Sequence, residues 1–288
     1  MLPAPRADLV ANTADFENQP LVRATGFREY DARWLFGPEI NLLGVEALGL
    51  GLGTYIQELG QKRIVVGHDY RSYSLSIKQA LTLGLVAAGC EVLDIGLALS
   101  PVAYFAQFDL DAPCVAMVTA SHNENGWTGV KMGANKPLTF GPEEMGRLKE
   151  IVLGGTWVER PGGSLTHVQG VAERYIADVS SKVKLTRPLK VVCACGNGAA
   201  GAFAPLKALG EAEANNHLAA VSSAPDKAKA WGAAEDRIFP MDESVGGRYS
   251  VWSSVGLSLQ IALGADVWSR FLKGAAEMDV HFRDTPLD

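Results

Sequence analysis

The sequence has few of the features that mark secreted or membrane-spanning chains. Its four cysteines are too few for a disulfide-rich scaffold, and each lies in or beside an apolar run, which favours buried free thiols. Residues 1–20 contain acidic side chains and no apolar core, unlike a signal peptide. The most apolar stretch, near residues 42–56, is interrupted by Glu46 and several glycines and is too short to span a bilayer. We therefore expect a cytoplasmic protein without a membrane partner.

The sequence also lacks any basic block or tail, and its net charge is −6. This balance argues against nucleic acid as the main partner. It leaves an anionic small substrate open, because local backbone N–H groups rather than net charge bind phosphates. Cys193 and Cys195 form a C-x-C pair that is too close for a typical disulfide and has no second pair to complete a zinc site.

Helical and strand-like segments alternate along the chain, a pattern that predicts an α/β fold. A polar loop is predicted over residues 119–135, and Ser74 is a candidate helix N-cap. The predicted strands cover residues 63–66, 91–95, 114–118, 190–195 and 217–221. The predicted helices cover residues 38–59, 74–88, 101–108, 171–183, 225–231 and much of 250–282, with others starting at 142 and ending near 210.

The chemistry-bearing residues concentrate in the stretch from Thr119 to Lys131, after the strand at 114–118. Small residues around Ser121 let a phosphate approach the backbone, and His122 and Lys131 supply positive charge beside it. Two other interpretations stay open here. The Ser-His pair can be a helix cap beside a surface histidine, or part of a serine-hydrolase triad, although no G-x-S-x-G elbow surrounds Ser121.

Four motifs, in order, resemble the α-D-phosphohexomutase family of phosphomannomutases and phosphoglucomutases. TASHNENGWTGVKMG resembles the family's T-A/G-S-H-N-P and N-G-x-K loop, with Glu124 where the family often has proline. GFREYD, completed by Arg33, resembles F-R-E-Y-D-I-R-G, and VVGHDYRSYS resembles V-G-x-D-x-R-x-S, supplying Asp69, Arg71 and Ser74. VVCACGNGAAGAFAP resembles the opening of the family's second domain. The resemblance covers residues of about 20–210.

The resemblance implies a phosphorylated Ser121 that gives its phosphate to a hexose phosphate, through a hexose bisphosphate that also serves as activator. Mg²⁺ bound through the phosphate on Ser121 would neutralise the transferring group. The residues expected to be catalytic are Ser121, His122, Lys131 and Arg28. Those expected to bind substrate or phosphate are Tyr30, Arg33, Asp69, Arg71 and Asn123.

The metal-binding and sugar-reading motifs of that family are not found in this sequence. It contains no D-G-D-G-D-R run and no G-E-x-S-G-H loop. Asp109-Leu110-Asp111 is the nearest D-x-D, and it reads as a turn before the strand at 114–118. The expected Mg²⁺ site is therefore incomplete.

The end of the chain resembles phosphoglucose isomerase instead. VGGRYSVWSSVGLSLQIALG, NNHLAAVSSAPDKAKAWG and MDVHFRDTPL resemble segments of that family, over residues of about 215–288. The resemblance implies that Arg248 stabilises the enediolate of aldose–ketose isomerisation. The isomerase's phosphate-binding loop, glutamate base and ring-opening histidine and lysine lie outside the matching segment.

We thus expect a mosaic of three parts: a phosphohexomutase first domain at residues 1–183, the start of a second domain at 184–212 and an isomerase-like segment at 213–288. The fold should be a three-layer α/β domain with a mixed sheet, followed by a smaller hybrid α/β unit with exposed apolar surface. A recombined, truncated or misassembled reading frame is expected rather than a deliberate fusion. The candidate functions are a phosphohexomutase, a glucose-6-phosphate isomerase relative and a non-catalytic hybrid that binds phosphosugar.

Overall fold

The computed structural model describes residues 2–182, 219–230, 233–242, 244–245 and 247–286. These residues fall into two compact units, one before and one after residues 183–218. The strand and helix predicted over 190–210 and the two cysteines of the C-x-C pair lie outside the described residues, and the three expected domain bounds stay predictions.

The first unit is built on one six-stranded mixed sheet. Its strands are β1 (Ala32–Leu35), β2 (Arg63–His68), β3 (Glu91–Leu97), β4 (Cys114–Val118), β5 (Trp127–Gly133) and β6 (Ser164–His167). The spatial order is β1-β5-β4-β2-β3-β6. β4, β2, β3 and β6 run parallel to one another, whereas β5 is antiparallel to both β4 and β1. The carboxyl ends of β2 and β4 therefore lie side by side at one edge of the sheet.

Helices cover both faces of this sheet, which confirms the expected three layers. The helices are α1 (Ala14–Asn18), α2 (Leu42–Glu58), α3 (Ser74–Ala87), α4 (Ser100–Asp109), α5 (Pro142–Gly154) and α6 (Val171–Lys182). Ile64 and Val66 of β2 pack with α2, α3 and α5, while Val65 packs with α4 and α6 on the other face. This alternation is the expected consequence of a strand buried on both sides.

Glycines allow α2 and α3 to pack with their backbones close together. A Cβ added at Gly49 would lie 2.2 Å from the Leu81 carbonyl oxygen, and one at Gly84 would lie 2.1 Å from that of Glu46. The glycines that interrupt the apolar run of α2 therefore have a packing role. No helix of the described residues is both long and apolar enough to cross a membrane.

Several predicted elements differ from the structure. α2 begins at Leu42 rather than near Pro38, because Asn41 caps it by accepting a 2.8 Å hydrogen bond from the Gly44 amide. Ser74 is the first residue of α3 and not its N-cap. The loop predicted over 119–135 is wrong in its second half, where β5 pairs on both sides. The short strands β1 and β6 were not predicted.

The second unit is smaller and contains a two-stranded parallel sheet. Its elements are β7 (Ala220–Ser222), α7 (Pro225–Ala230), β8 (Ile238–Pro240), α8 (Leu257–Leu263) and α9 (Ala265–Asp284), with 3₁₀ helices at Glu235–Arg237, Gly247–Trp252 and Ser254–Gly256. The long helix predicted over 250–282 is broken at Gly264, whose φ is 81°. Phe282 is 86% exposed and Met278 is 63% exposed, so the expected exposed apolar surface is present.

The predicted buried free thiols are confirmed where the structure describes them. Cys90 and Cys114 are free and fully buried. Burial raises the pKa of Cys90 to about 11 and that of Cys114 to about 12. Both thiols are therefore core residues rather than nucleophiles.

Candidate active site

Ser121 lies in the loop that leaves the carboxyl end of β4 and returns as β5. Its φ is 55°, in the left-handed region that non-glycine residues seldom adopt. The Ser121 amide donates a 3.0 Å hydrogen bond to Thr119 Oγ1, and the Asn123 amide donates one of 3.1 Å to the Ala120 carbonyl. The loop thus forms a tight turn that presents a half-buried serine at the sheet edge, and such backbone strain concentrates at functional sites.

Arg33 braces this turn from β1. Its buried guanidinium donates a 2.9 Å hydrogen bond to the Ala120 carbonyl and a second hydrogen bond to the side-chain oxygen of Asn123. Asp31 holds the other side of the guanidinium through contacts of 3.1 and 2.8 Å. A residue 87 positions earlier in the chain therefore fixes the Ser121 loop.

Arg71 braces the same turn from the end of β2. It is ion-paired with Asp69, and its Nη2 donates to the carbonyls of Ser121, at 3.3 Å, and Asn123, at 2.5 Å. The Ser74 hydroxyl donates a 2.6 Å hydrogen bond to Asp69 Oδ1. The side chain of Ser74 is therefore bound to Asp69 and does not cap α3. The Nε of Arg71 is buried and has no hydrogen-bond partner among the described residues.

Two guanidinium groups therefore lie against the backbone of the loop that carries Ser121. Each is matched by one buried or half-buried carboxylate, so the pair adds no net charge to the fold itself. The structure brings together four predicted phosphate-binding residues, Arg33, Asp69, Arg71 and Asn123, in one network around Ser121. Their predicted contact with phosphate stays a prediction.

The remaining predicted residues of the first unit, apart from His122, are Arg28, Tyr30 and Lys131. Arg28 is exposed, and its guanidinium carbon lies 5.8 Å from the ring centroid of Trp127. Tyr30 is 45% exposed in the turn between Arg28 and β1. Lys131 is half-buried on β5, opposite Met117 of β4.

His122 is exposed, and its Nδ1 lies 3.4 Å from Ser121 Oγ. Among the described residues, no carboxylate is within ion-pair distance of its ring. The described part of the chain thus forms no Ser-His-Asp triad, because a triad needs a third group that orients the histidine.

Tyr73 was missed in the sequence. Its hydroxyl accepts a 2.8 Å hydrogen bond from the Gly126 amide and donates one of 2.9 Å to the Trp127 carbonyl. When the pattern V-G-x-D-x-R-x-S is counted from Val66, its serine position falls on Tyr73 and not on Ser74. Counting the motif in this way would have shown that Tyr73 occupies the family's serine position.

The carboxylates near Ser121 do not fit a magnesium site. Asp31 and Asp69 are each committed to a guanidinium. Across the described ranges, no three His, Cys, Asp or Glu side chains form a group that could hold a metal ion. Asp109 is the last residue of α4 and is bound to Arg174, whereas Leu110 and Asp111 form the turn that was predicted for the D-x-D stretch.

Arg248 belongs to the second unit. Its backbone lies in the 3₁₀ helix Gly247–Trp252, and its side chain is outside what the structure describes. Its predicted role therefore stays a prediction.

Comparisons with known proteins separate the chain into two parts. Residues 24–158 match the phosphoglucomutase/phosphomannomutase family, alpha/beta/alpha domain I. A solved phosphoglucomutase/phosphomannomutase family protein from Burkholderia thailandensis has a TM-score of 0.58 and 30% identity, covering 64% of this chain and 41% of that protein. The order and layering of the first unit agree with this match.

Residues 197–288 match phosphoglucose isomerase. The glucose-6-phosphate isomerase of Caulobacter sp. (strain K31) is 57% identical over 81 residues, and that of Brucella ovis is 58% identical over 80 residues. Each alignment covers 28% of this chain and 15% of the isomerase, so the chain spans only a small part of these relatives. The chain therefore combines a region similar to domain I of the phosphoglucomutase/phosphomannomutase family, at residues 24–158, with a region similar to phosphoglucose isomerase, at residues 197–288.

Proposed function

We propose that the first unit is a phosphohexomutase-like domain whose Ser121 accepts and holds a phosphoryl group from a hexose bisphosphate. The observation that carries this proposal is the Ser121 turn itself. A serine at a positive φ, with its backbone braced by Arg33 and Arg71, lies at the carboxyl end of β4. Ligand sites of open α/β sheets occur at such strand ends.

The proposed step is a phosphoryl transfer to an oxygen. The bond between phosphorus and the sugar oxygen breaks while a bond from phosphorus to Ser121 Oγ forms, and the hydroxyl proton leaves as the sugar oxygen gains one. A phosphoserine carries about −2 charge. Arg28, His122 and Lys131 are the expected sources of positive or proton-donating groups, and His122 Nδ1 lies 3.4 Å from Ser121 Oγ.

Full hexose 1-phosphate to 6-phosphate conversion demands more than this step. Neither the D-G-D-G-D-R metal loop nor the G-E-x-S-G-H sugar loop is in the sequence, and the residues that the structure describes contain no group of three His, Cys, Asp or Glu side chains that could hold a metal ion. We therefore propose phosphorylation of Ser121 as the activity of this domain, with slow or no mutase turnover. Glucose and mannose phosphates are both candidate sugars.

The test is phosphorylation of the whole chain by glucose 1,6-bisphosphate in buffer that contains Mg²⁺, followed by intact mass and peptide mapping. We expect one phosphoryl group on the peptide that contains Ser121. Ser121→Ala should abolish it, and Ser180→Ala should not, because Ser180 is an exposed helical serine outside the loop. A wild-type chain that is folded and stays unmodified, or modification that persists in Ser121→Ala, would contradict the proposal. A coupled mutase assay on the same samples measures turnover.

A second candidate function rests on the isomerase segment. Its identity of 57% to a glucose-6-phosphate isomerase is high, and Arg248 corresponds to the arginine of the family's G-G-R motif. Conversion of fructose 6-phosphate to glucose 6-phosphate that disappears in Arg248→Lys would support this function. Absence of both activities in a folded sample would leave the chain as a non-catalytic hybrid.

A further inference from the structure

The closing limb of the Ser121 loop is held by one hydroxyl group. Tyr73 Oη accepts from the Gly126 amide at 2.8 Å and donates to the Trp127 carbonyl at 2.9 Å. Gly126 has a φ of 94°, so the loop reverses direction where the hydroxyl binds it. The hydroxyl thus ties the point where the loop turns into β5 to the start of α3.

Tyr73 is itself fixed in place. Its ring stacks on Phe36 with centroids 5.5 Å apart and an interplanar angle of 22°. The Phe36 amide in turn donates a 2.8 Å hydrogen bond to the Gly126 carbonyl. Phe36 and the Tyr73 hydroxyl therefore both bind the loop at Gly126. Stacking on Phe36 holds the Tyr73 ring in the orientation that its two hydrogen bonds require.

Trp127 links this support to a predicted catalytic residue. Its carbonyl is bound by Tyr73, and its indole ring carries the Arg28 guanidinium at 5.8 Å. Arg28 is otherwise exposed, in a turn closed by a 2.9 Å hydrogen bond from its own amide to the Asp31 carbonyl. A cation that lies over an indole face is attracted by the ring's quadrupole. Trp127 is thus the residue that connects the Tyr73 hydroxyl to the Arg28 guanidinium.

We propose that Tyr73 is a positioning residue for phosphoryl transfer: its hydroxyl fixes Trp127, and Trp127 holds Arg28 beside the Ser121 loop. This inference rests on the function proposed for Ser121. It is independent of the two guanidinium braces, which hold the opposite limb of the loop through the carbonyls of residues 120, 121 and 123. The loop is therefore held before and after its tip, by the two arginines at residues 120–123 and by Tyr73 at residues 126–127.

The experiment compares Tyr73→Phe with Tyr70→Phe in the full chain. Phenylalanine keeps the ring that stacks on Phe36 and removes only the hydroxyl. Tyr70 is a matched control because the same change is made at a side chain that is 60% exposed. The first readout is amide hydrogen exchange of peptides covering 119–127. We expect exchange about 10-fold faster in Tyr73→Phe alone, since the Gly126 amide loses its partner.

The second readout is the rate at which glucose 1,6-bisphosphate phosphorylates Ser121. Small displacements of positioning groups cost about 10-fold to 100-fold in rate. We expect a loss of that size in the maximal rate of Tyr73→Phe, with the half-saturating bisphosphate concentration unchanged. Trp127→Leu should lose rate to a similar extent while exchange at Gly126 stays slow.

Equal exchange in Tyr73→Phe and the wild-type chain would overturn the inference, whatever the activity. A wild-type rate in Trp127→Leu would overturn the link to Arg28. If the wild-type chain is not phosphorylated, the proposed function fails, and the exchange comparison still decides whether Tyr73 holds the loop. A changed half-saturating concentration with an unchanged maximal rate would assign Tyr73 to ligand binding and overturn its positioning role.

Discussion

Asp69 organises three donors at the base of the Ser121 loop. It is 4% exposed and accepts hydrogen bonds from the Arg71 guanidinium, the Arg71 amide and Ser74 Oγ. Its own amide donates to the Val118 carbonyl at 3.0 Å, which joins β2 to the end of β4. Leaving one member of a buried ion pair alone costs about 3–5 kcal/mol. The fold and the site therefore depend on the same carboxylate.

His68, the residue before Asp69, gives the first unit a pH-dependent contribution to stability. Its half-buried ring lies 2.8 Å from the Asp69 carbonyl through Nδ1. Burial lowers the pKa of His68 below its ordinary value, and the nearby Lys78 ammonium acts in the same direction, whereas the Asp69 carbonyl and the carboxylates of Asp94 and Asp69 oppose the shift. The folded state therefore favours the neutral ring.

We expect the free energy of unfolding to fall in acid partly because of His68. An unfolded histidine has a pKa of about 6.5. Below that value the unfolded chain binds a proton that the folded ring resists, so the stabilisation is present above the unfolded pKa and is lost as the pH falls through the lowered folded pKa.

Urea unfolding at several pH values between about 7.5 and 5 tests this expectation. His68→Asn should flatten the dependence, and His122→Asn, which changes an exposed ring, should leave it as in the wild-type chain. A slope that is the same in all three proteins would show that His68 does not contribute.

At the scale of elements, the close approach of the α2 and α3 backbones depends on glycines at the positions where the two helices touch, Gly49 and Gly84. We expect Gly84→Ala to lower the free energy of unfolding by about 1–3 kcal/mol, the usual range for overpacking. The reason is that the new Cβ would lie 2.1 Å from the Glu46 carbonyl oxygen and 2.6 Å from the Leu50 amide nitrogen. Both are backbone atoms, so one helix must shift.

Gly146→Ala is the matched control, because it makes the same change in α5 where nothing lies within 4 Å of the added Cβ. Alanine favours a helix over glycine by about 1 kcal/mol, so this variant should be as stable as the wild-type chain or more so. Chemical denaturation of both variants measures the difference. If Gly84→Ala were as stable as Gly146→Ala, the close packing of α2 on α3 would be wrong.

The sequence predicted the elements that are long or continuously apolar, and it missed those that depend on pairing. β2 and β4 contain runs of apolar residues buried on both faces, so their positions follow from local composition. β5 contains Gly129 and Gly133, which disfavour a strand by propensity. The structure needs a glycine there, since a Cβ at Gly129 would lie 2.2 Å from the Ala32 carbonyl oxygen.

The residues of the candidate site could be predicted where they belong to a sequence motif. They could not be predicted where their role depends on contacts between residues far apart in the sequence. Ser121, Arg33, Asp69 and Arg71 all follow from motifs, and the structure places them together. The motifs do not give the orientation of these side chains. They do not predict that both guanidinium groups donate hydrogen bonds to backbone carbonyls of the Ser121 loop. The role of Tyr73 also depends on hydrogen bonds to Gly126 and Trp127, which follow it by 53 and 54 positions in the sequence. No local sequence pattern encodes contacts over such a separation.

At the scale of the whole molecule, the two units differ in how much apolar surface they bury. The first has two apolar clusters, one on each face of its sheet. Among the described residues after 218, the buried apolar side chains are those of three alanines and Trp268. Trp268 and Trp252 both stack on Phe271, with centroids 5.4 and 4.7 Å apart. This cluster covers only the first turns of α9.

We therefore expect the second unit to open at lower free energy than the first. Hydrogen exchange followed by mass spectrometry should show fast exchange in α9 and slow exchange in α2, because α2 is buried along most of its length and α9 is exposed along most of its length. Residues 100–109 in α4 provide a second internal reference. Equal protection of α2 and α9 would mean that α9 is stabilised by contacts other than those described.

The way the Ser121 loop is held has a consequence for how such a site can be inherited. The side chains that brace it from outside the loop come from β1, from the end of β2 and from the start of α3, so these braces are not part of residues 119–131. A graft of that stretch into another protein would carry the serine and lose its geometry. The geometry of the serine therefore depends on the whole first unit, which contains the region similar to domain I of the phosphoglucomutase/phosphomannomutase family.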